Sequence, residues 1–279
     1  MKKTLISAVT VGVAATAAAG ALWAGALAPR QGHPGWEAFS HHRYAHRGLH
    51  NMDEGRPENS FSAFRAAVEH GFGAELDLHL MADGNLAVVH DSDLERVCGR
   101  SAIIEELTAA DLNDYPLLGS GETIPLFEDV LALFEGKTPL IVELKTSKGN
   151  AARLTDAAME QLAKWNGLYC VESFDPAVLL HLKKHYPAVI RGQLSCDFLT
   201  GNHTGRGTLA DFAMTNLLTT FLTKPDFIAY KHQDRGVLSL RLMKKLYGVH
   251  EVSWTVREAE VMETLENEGV PAIFEGFLP

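Results

Sequence analysis

Residues 73–91 read GAELDLHLMADGNLAVVHD. The runs 73–80 and 86–91 flank Asp83-Gly84, a dipeptide that tolerates left-handed backbone and is a strong signal for a tight hairpin. The second run is therefore expected to return antiparallel to the first. Working outward, Tyr44–Arg47 is a short apolar run, and SFSAFRAAVEH (60–70) carries apolar residues at helical spacing before stopping at Gly71. Downstream, PLIVELK (139–145), YCVESF (169–174), VIRGQLS (189–195), DFIAYKH (226–232), HEVSWTV (250–256) and PAIFEGF (271–277) read as strands. Helical patterns such as AARLTDAAMEQLAKW (151–165) and REAEVMETLENEG (257–269) lie between them. Of nine strands, setting aside the hairpin's return strand leaves eight that alternate with helices, which predicts an α/β fold of the (β/α)8 TIM-barrel type. The alternative, an open doubly wound sheet, calls for a glycine-rich phosphate loop after a strand, and the sequence has none. Residues 92–124 read as a small insertion capping the barrel mouth.

The N-terminal residues differ in kind. Lys2 and Lys3 precede an uncharged run, Leu5–Ala28, rich in Ala, Gly and Val. A basic start followed by such a run is a signal peptide or a membrane anchor, and this one is long enough to span a bilayer. Small residues at Ala24-Gly25-Ala26 and Ala26-Leu27-Ala28 offer cleavage points, the second followed by Pro29. The reading adopted is an uncleaved single-pass anchor over residues 1–29, then a linker over 30–43 and the barrel domain over 44–279. The lysines would stay inside and the barrel outside, with a secreted enzyme as the outcome if the segment is cleaved. A formal net charge of -10 gives no basic stripe for nucleic acid. Three cysteines, Cys98, Cys170 and Cys196, without a C-x-x-C spacing, indicate neither a disulfide framework nor a zinc ribbon.

Chemistry gathers where barrel strands end. Glu75 and Asp77 are two apart on one strand, so they share a face, and Glu143 and Lys145 repeat the spacing on VELK. A lone E-x-D often faces solvent at a sheet edge; two such pairs on barrel strands point inward. Carboxylates gathered in a barrel repel one another unless protonated or bound to a hard cation such as Ca2+ or Mg2+, and Lys145 offsets only part of that charge. His46 and His90 end strands on either side of this cluster and can exchange protons with a reacting centre. Arg47, beside His46, offers a planar fork of donors that suits a phosphate. His79, on the face of Glu75 and Asp77 but nearer the turn, either supports the site from behind or belongs to the rim.

AHRG (45–48), ENSFSAFRAAVEHG (58–71), AELDLHLMADGNLAVVHD, VELK, SFDP (173–176), RGQL (191–194) and SWTV (253–256), in this order, resemble the glycerophosphodiester phosphodiesterase family over nearly the whole chain from Tyr44. The resemblance implies a divalent-metal-dependent phosphodiesterase that releases glycerol 3-phosphate and an alcohol. It implies His46 and His90 as general acid and base, and Glu75, Asp77 and Glu143 as ligands of one divalent ion, Ca2+ or Mg2+. Arg47 and Lys145 would face the phosphate and Trp254 would wall the glycerol pocket, while Glu58 and Asn59 brace the loop before the first helix. The family usually ends its last strand in Thr-Asp; here IFEGF places Glu275 there, which leaves leaving-group specificity open. Alternatives are a phospholipase D-like hydrolase of lysolipid or of an extracellular glycerophosphate polymer, and a non-catalytic barrel that binds a phosphorylated ligand. RGTLADFAMTNLLTTFLTKPDF (206–227) either packs on the barrel or lines a mouth that meets lipid.

Overall fold

The computed structural model describes residues 20–30, 32–201 and 203–279. Strand β1 (Tyr44–His46) pairs parallel with both β2 (Gly73–Leu80) and β9 (Ala272–Phe274), and this double pairing closes the sheet. The circuit runs through β8 (His250–Val256), β7 (Phe227–Lys231), β6 (Arg191–Ser195), β5 (Tyr169–Ser173) and β4 (Leu140–Leu144) back to β2. Eight parallel strands form the barrel, and the open-sheet alternative is excluded. The ninth, β3 (Leu86–Val88), runs antiparallel to β2 with Leu78 opposite Val88, as the Asp83-Gly84 turn predicts.

Alternation along the strands sorts two apolar layers. Ala74, Leu76 and Leu78 face outward and pack with Phe64, Phe127 and Phe134 of the surrounding helices. Inside, Tyr44, Ile141, Cys170, Phe227 and Ile273 fill the lower barrel. Gly192 is required there: a Cβ would lie 2.1 Å from the Phe227 ring. Polar side chains are thereby confined to the upper half. All three cysteines are buried. Between β3 and the helix Phe127–Phe134, Leu94, Val97, Ile104, Leu112 and Leu117 form a small core of their own over the hairpin.

Of the segment read as a linker, 30–43, the described residues pack on the barrel. The helix Trp36–Ser40 plugs its base with Trp36 and Phe39, and the Tyr44 hydroxyl donates to the Phe39 carbonyl at 2.7 Å. Arg30 pairs with buried Asp226 and donates to the carbonyls of Pro187 and Val189.

Of the proposed membrane run, residues 5–19 lie outside the described residues. Its last residues belong to the barrel rather than to a bilayer. Leu27 is fully buried with Leu217, Ile228 and Tyr230, and the carbonyls of Ala24, Ala26 and Ala28 accept from Tyr247, Thr220 and Lys224. An apolar run does not reveal by itself whether lipid or protein covers it. Among the described residues, no helix is long and apolar enough to cross a membrane.

Candidate active site

The same alternation that buries Leu76 and Leu78 outward turns Glu75, Asp77 and His79 into the barrel. Strand register sets the neighbours level: His46 is opposite Glu75, Asp77 opposite Glu143, and Glu143 opposite Glu172. Ligand oxygens of Glu75, Asp77 and Glu143 lie within 4.8 Å of one another, and all three residues are buried. The sequence spacing brought these three together as expected.

Such crowding acts on each carboxyl differently. Burial, then the charges of Asp77 and Glu143, push Glu75 well above the usual carboxylate range. Burial also raises Glu143, against the opposing pull of Lys145. Burial would raise Asp77 too, but Lys145, His90 and Arg47 overcome it and hold that carboxyl well below its ordinary value. The cluster thus carries more negative potential than its own cations balance. Asn59, whose Nδ2 donates to Asp77 Oδ2 at 2.9 Å, leaves a buried Oδ1 without a hydrogen-bond partner among the described residues. Three converging carboxylates with a spare amide oxygen nearby are a hard-cation donor set, and they fit Ca2+ or Mg2+.

The histidines stand beside this cluster, each with a carboxylate behind it. His90 Nδ1 lies 2.6 Å from Asp91 Oδ1, and His46 Nδ1 is hydrogen-bonded to Glu275 Oε2. Each carboxylate is held in turn by an arginine, Arg96 on Asp91 and Arg257 on Glu275. This arrangement places the Nδ1 proton on the carboxylate side and leaves both Nε2 atoms for chemistry. Burial depresses His90 to about 4 and lowers His46 as well, so both are neutral near pH 7. A second cluster, His46, His50 and Glu275, has ligand atoms equally close. Arg257 on the Glu275 carboxylate and the hydrogen bond to His46 make it an orienting pair rather than a metal centre.

The HRG turn owes its shape to two left-handed residues, Arg47 (φ 53°) and Gly48 (φ 80°). A Cβ on Gly48 would lie 2.9 Å from Ala63, so only glycine lets the turn rest on the helix Phe61–Glu69. That bend aims Arg47 into the site, where Nη1 donates to Glu58 Oε1 at 2.8 Å and Nε lies 3.4 Å from Asp77. Glu58 also receives both Arg96 nitrogens, at 2.7 and 2.9 Å, and so ties the insertion to the catalytic turn. Lys145 Nζ lies 2.7 Å from Glu143 and 3.0 Å from Asp77, among the candidate ligands. Its ammonium offsets the charge of that pair in this structure.

Trp254 packs edge-on against Phe174 with ring centroids 5.7 Å apart, and its buried Nε1 has no hydrogen-bond partner among the described residues. His79 takes the supporting position of the two the sequence allows and is buried: Nδ1 pairs with Glu105 at 2.7 Å, and Nε2 lies 3.1 Å from the His90 carbonyl, fixing that loop. Sequence reasoning missed Glu172, which burial, then Glu143, pushes well above its usual range and whose Oε2 is unpartnered. The alternation Cys170-x-Glu172 was the signal. It also missed Asp91 and Arg96 behind His90, for which the insertion has no periodicity to read.

Residues 46–277 match the model of the glycerophosphoryl diester phosphodiesterase family. The chain is 24% identical over 237 residues to a glycerophosphodiester phosphodiesterase of Caldanaerobacter subterraneus, covering 82% of this chain and 91% of that protein. It is 30% identical over 168 residues to one from Bacillus altitudinis, covering 56% of this chain and 67% of that protein. Its fold is similar to a phosphodiesterase of Oleispira antarctica solved in complex with the product sn-glycerol-3-phosphate. The TM-score is 0.69 and the identity 21%, over 86% of this chain and 94% of that chain. With a family match across the whole barrel and a site built on its motifs, the chain belongs to the glycerophosphoryl diester phosphodiesterase family.

Proposed function

We propose that this hydrolase cleaves glycerophosphodiesters to glycerol 3-phosphate and an alcohol with one divalent ion, Ca2+ or Mg2+, held by Glu75, Asp77 and Glu143. The observation that carries the reading is the set of three buried carboxylates whose oxygens converge within 4.8 Å beside His46 and His90. When bound, the cation polarises a phosphoryl oxygen and lowers the pKa of the attacking hydroxyl, from water or from the substrate's own glycerol. Of the two imidazoles, one takes the proton of that hydroxyl at its Nε2, and the other, which must first take up a proton from solvent beside the anionic phosphodiester, gives it to the departing alkoxide. Glu275 and Asp91 hold the rings so that Nε2 points inward. Arg47 and Lys145 orient the phosphate, and Trp254 walls the glycerol side. Purified enzyme in excess chelator should release no glycerol 3-phosphate from glycerophosphocholine, and Ca2+ or Mg2+ should restore release. Full activity in chelator would overturn the metal reading.

We further propose that the barrel works outside the cytoplasmic membrane, anchored by the apolar run that follows Lys2 and Lys3. Because Trp23 and Leu27 pack on the barrel, such an anchor would hold the domain close to the lipid surface. Mass spectrometry of the mature N-terminus tests this. An intact Lys2–Ala28 segment supports the anchor, and a chain beginning at Leu27 makes the enzyme a secreted one.

A further inference from the structure

The described part of the N-terminal segment meets the barrel near its base, the end opposite the carboxylates. Its carbonyls are held by residues that sit just ahead of strands. Ala24 accepts from the Tyr247 hydroxyl shortly before β8, and Ala28 accepts from the Lys224 ammonium shortly before β7. Ala26 accepts from Thr220. Parallel barrel strands begin at the base, so these contacts place residues 24–28 on the basal flank, and Arg30 reaches the base itself.

Around that segment the surface carries apolar side chains that the described chain leaves uncovered. Leu22, two residues before Ala24, is 76% exposed, and Leu246, next to Tyr247, is 52% exposed. Phe221 and Leu222, next to Thr220, are about half exposed as well. Exposed apolar residues are ordinary when scattered; gathered along one segment they make a patch. Cations border it. Lys183 Nζ donates to the Leu222 carbonyl at 2.6 Å, which brings the end of the helix Pro176–His185, with Lys184, against the patch. Arg241 and Lys245 lie one turn apart on the helix Leu238–Tyr247. The side chains of Lys184, Arg241 and Lys245 have no hydrogen-bond or ion-pair partner among the described residues. The acidic groups near the last two, Glu251 and Glu268, are already paired with Lys244 and Arg235. A helix end favours a lysine for its own dipole, so one such cation would mean little. Several unpaired ones beside exposed leucines, on a chain of net charge -10, concentrate positive charge on this flank.

We propose that the basal flank seats on an anionic lipid surface, with the catalytic mouth turned away from it. This rests on the anchor proposed above and adds how the barrel sits. Two features choose the partner: the uncharged residues 5–19 lead into the chain at this patch, and its unpaired cations complement acidic head groups. Apolar side chains flanked by lysines are the make-up of a surface that lies in the interface. His46, His90 and the carboxylates then open to water, and the enzyme draws its diesters from solution. Mouth-down seating is the alternative, because Leu209 on the helix Thr208–Thr215 is 83% exposed. That helix shares a cavity with Phe174, which follows β5, so it lies at the catalytic end.

The test uses the full chain in phosphatidylcholine vesicles with phosphatidylglycerol, labelled with an environment-sensitive fluorophore on one introduced cysteine. Leu246→Cys and Leu222→Cys report the basal flank, and Leu209→Cys reports the mouth. The native cysteines are buried, which directs the label to the introduced thiol. Vesicle flotation reads whether the protein is held by lipid at all. Flotation with a blue shift at positions 246 and 222, and none at 209, is the expected result. Lys245→Ala and Arg241→Ala should each lower the ratio of docked to undocked probe on the order of five-fold, and so should omission of phosphatidylglycerol. A shift at 209, alone or with the others, would overturn the proposed orientation. Flotation with no shift at any position would keep the anchor and overturn the docking. Protein that does not float would sink anchor and docking together.

Discussion

Asp91 accepts from His90 at 2.6 Å as Glu275 accepts from His46, so the loop after β3 and the end of β1 carry the same His–carboxylate pair. The arginines behind them complete the parallel. Each carboxylate favours the charged imidazole, opposing the burial that lowers both histidines. Glu275→Gln and Asp91→Asn should each lower kcat/KM on the order of 10- to 100-fold, the usual worth of an orienting partner. Removing a carboxylate lowers the imidazole pKa further, so the limb of the pH profile set by that histidine should move to lower pH. Unchanged limbs in both variants would show that the pairs merely fill space.

The carboxylate cluster makes the stability of the metal-free protein depend on pH. Glu75, Glu143 and Glu172 are all raised in the folded state above their ordinary 4.5. The folded protein therefore binds more protons than the unfolded chain over the window above 4.5. That contribution to stability is complete below 4.5 and is lost as pH rises through the raised folded values. In chelator, Tm should fall from mildly acidic to alkaline buffer. A cation needs the ionised forms, so excess Ca2+ or Mg2+ should raise Tm most at the alkaline end, by about 2.7 kcal/mol of stability at a hundredfold excess over Kd. A metal effect on Tm that does not grow with pH would argue against these ligands, and Asp77→Asn should abolish it.

The barrel and its carboxylate cluster were legible in the sequence because period-two alternation fixes both. Once Leu76 and Leu78 face outward, Glu75 and Asp77 must face inward, and a hairpin at Asp83-Gly84 removes the odd strand from the count. The environment of the histidines was less legible. Asp91 is adjacent to His90, but Glu275 reaches His46 from 229 positions away, by barrel closure. Arg96 reaches Glu58 from an irregular insertion that has no period to read. Residues 23–30 were misassigned for a different reason. Among the described residues the excursion after β6 supplies two short helices, Thr208–Thr215 and Thr220–Thr223, and Leu27, from a segment whose composition alone resembles a membrane run, packs there with Leu217, Ile228 and Tyr230.

That docking has a measurable consequence. Asp226 is buried, and its carboxylate oxygens are held by the Arg30 guanidinium and by the Arg191 backbone amide at 2.9 Å. Arg30→Met keeps the stem's bulk and removes the guanidinium. It should lower unfolding stability by about 1.5–3 kcal/mol, the worth of hydrogen bonds to a charged group. Catalysis should be unaffected, because the pair sits at the barrel base. Denaturant unfolding checks this, and Arg30→Met with wild-type stability would mean that residues 23–30 rest on the barrel without supporting it.

The roles of His46 and His90 separate when the leaving group is changed. Without substrate both are neutral near pH 7 and both have Nδ1 on a carboxylate, so position does not distinguish acid from base. His46→Ala and His90→Ala should each lose on the order of 10²- to 10⁴-fold in kcat/KM on glycerophosphocholine. Metal affinity should hold in both, since neither imidazole is among the carboxylate ligands. A nitrophenyl ester of glycerol phosphate departs without needing a proton. It should restore turnover to whichever variant has lost the acid and leave the other impaired. The two carboxylate variants should follow the same division, Glu275→Gln with His46→Ala and Asp91→Asn with His90→Ala, because each acts through the ring it holds. Equal losses in both histidine variants on both substrates, with metal content unchanged, would assign the imidazoles to shaping the site and leave the chemistry to the cation and Arg47.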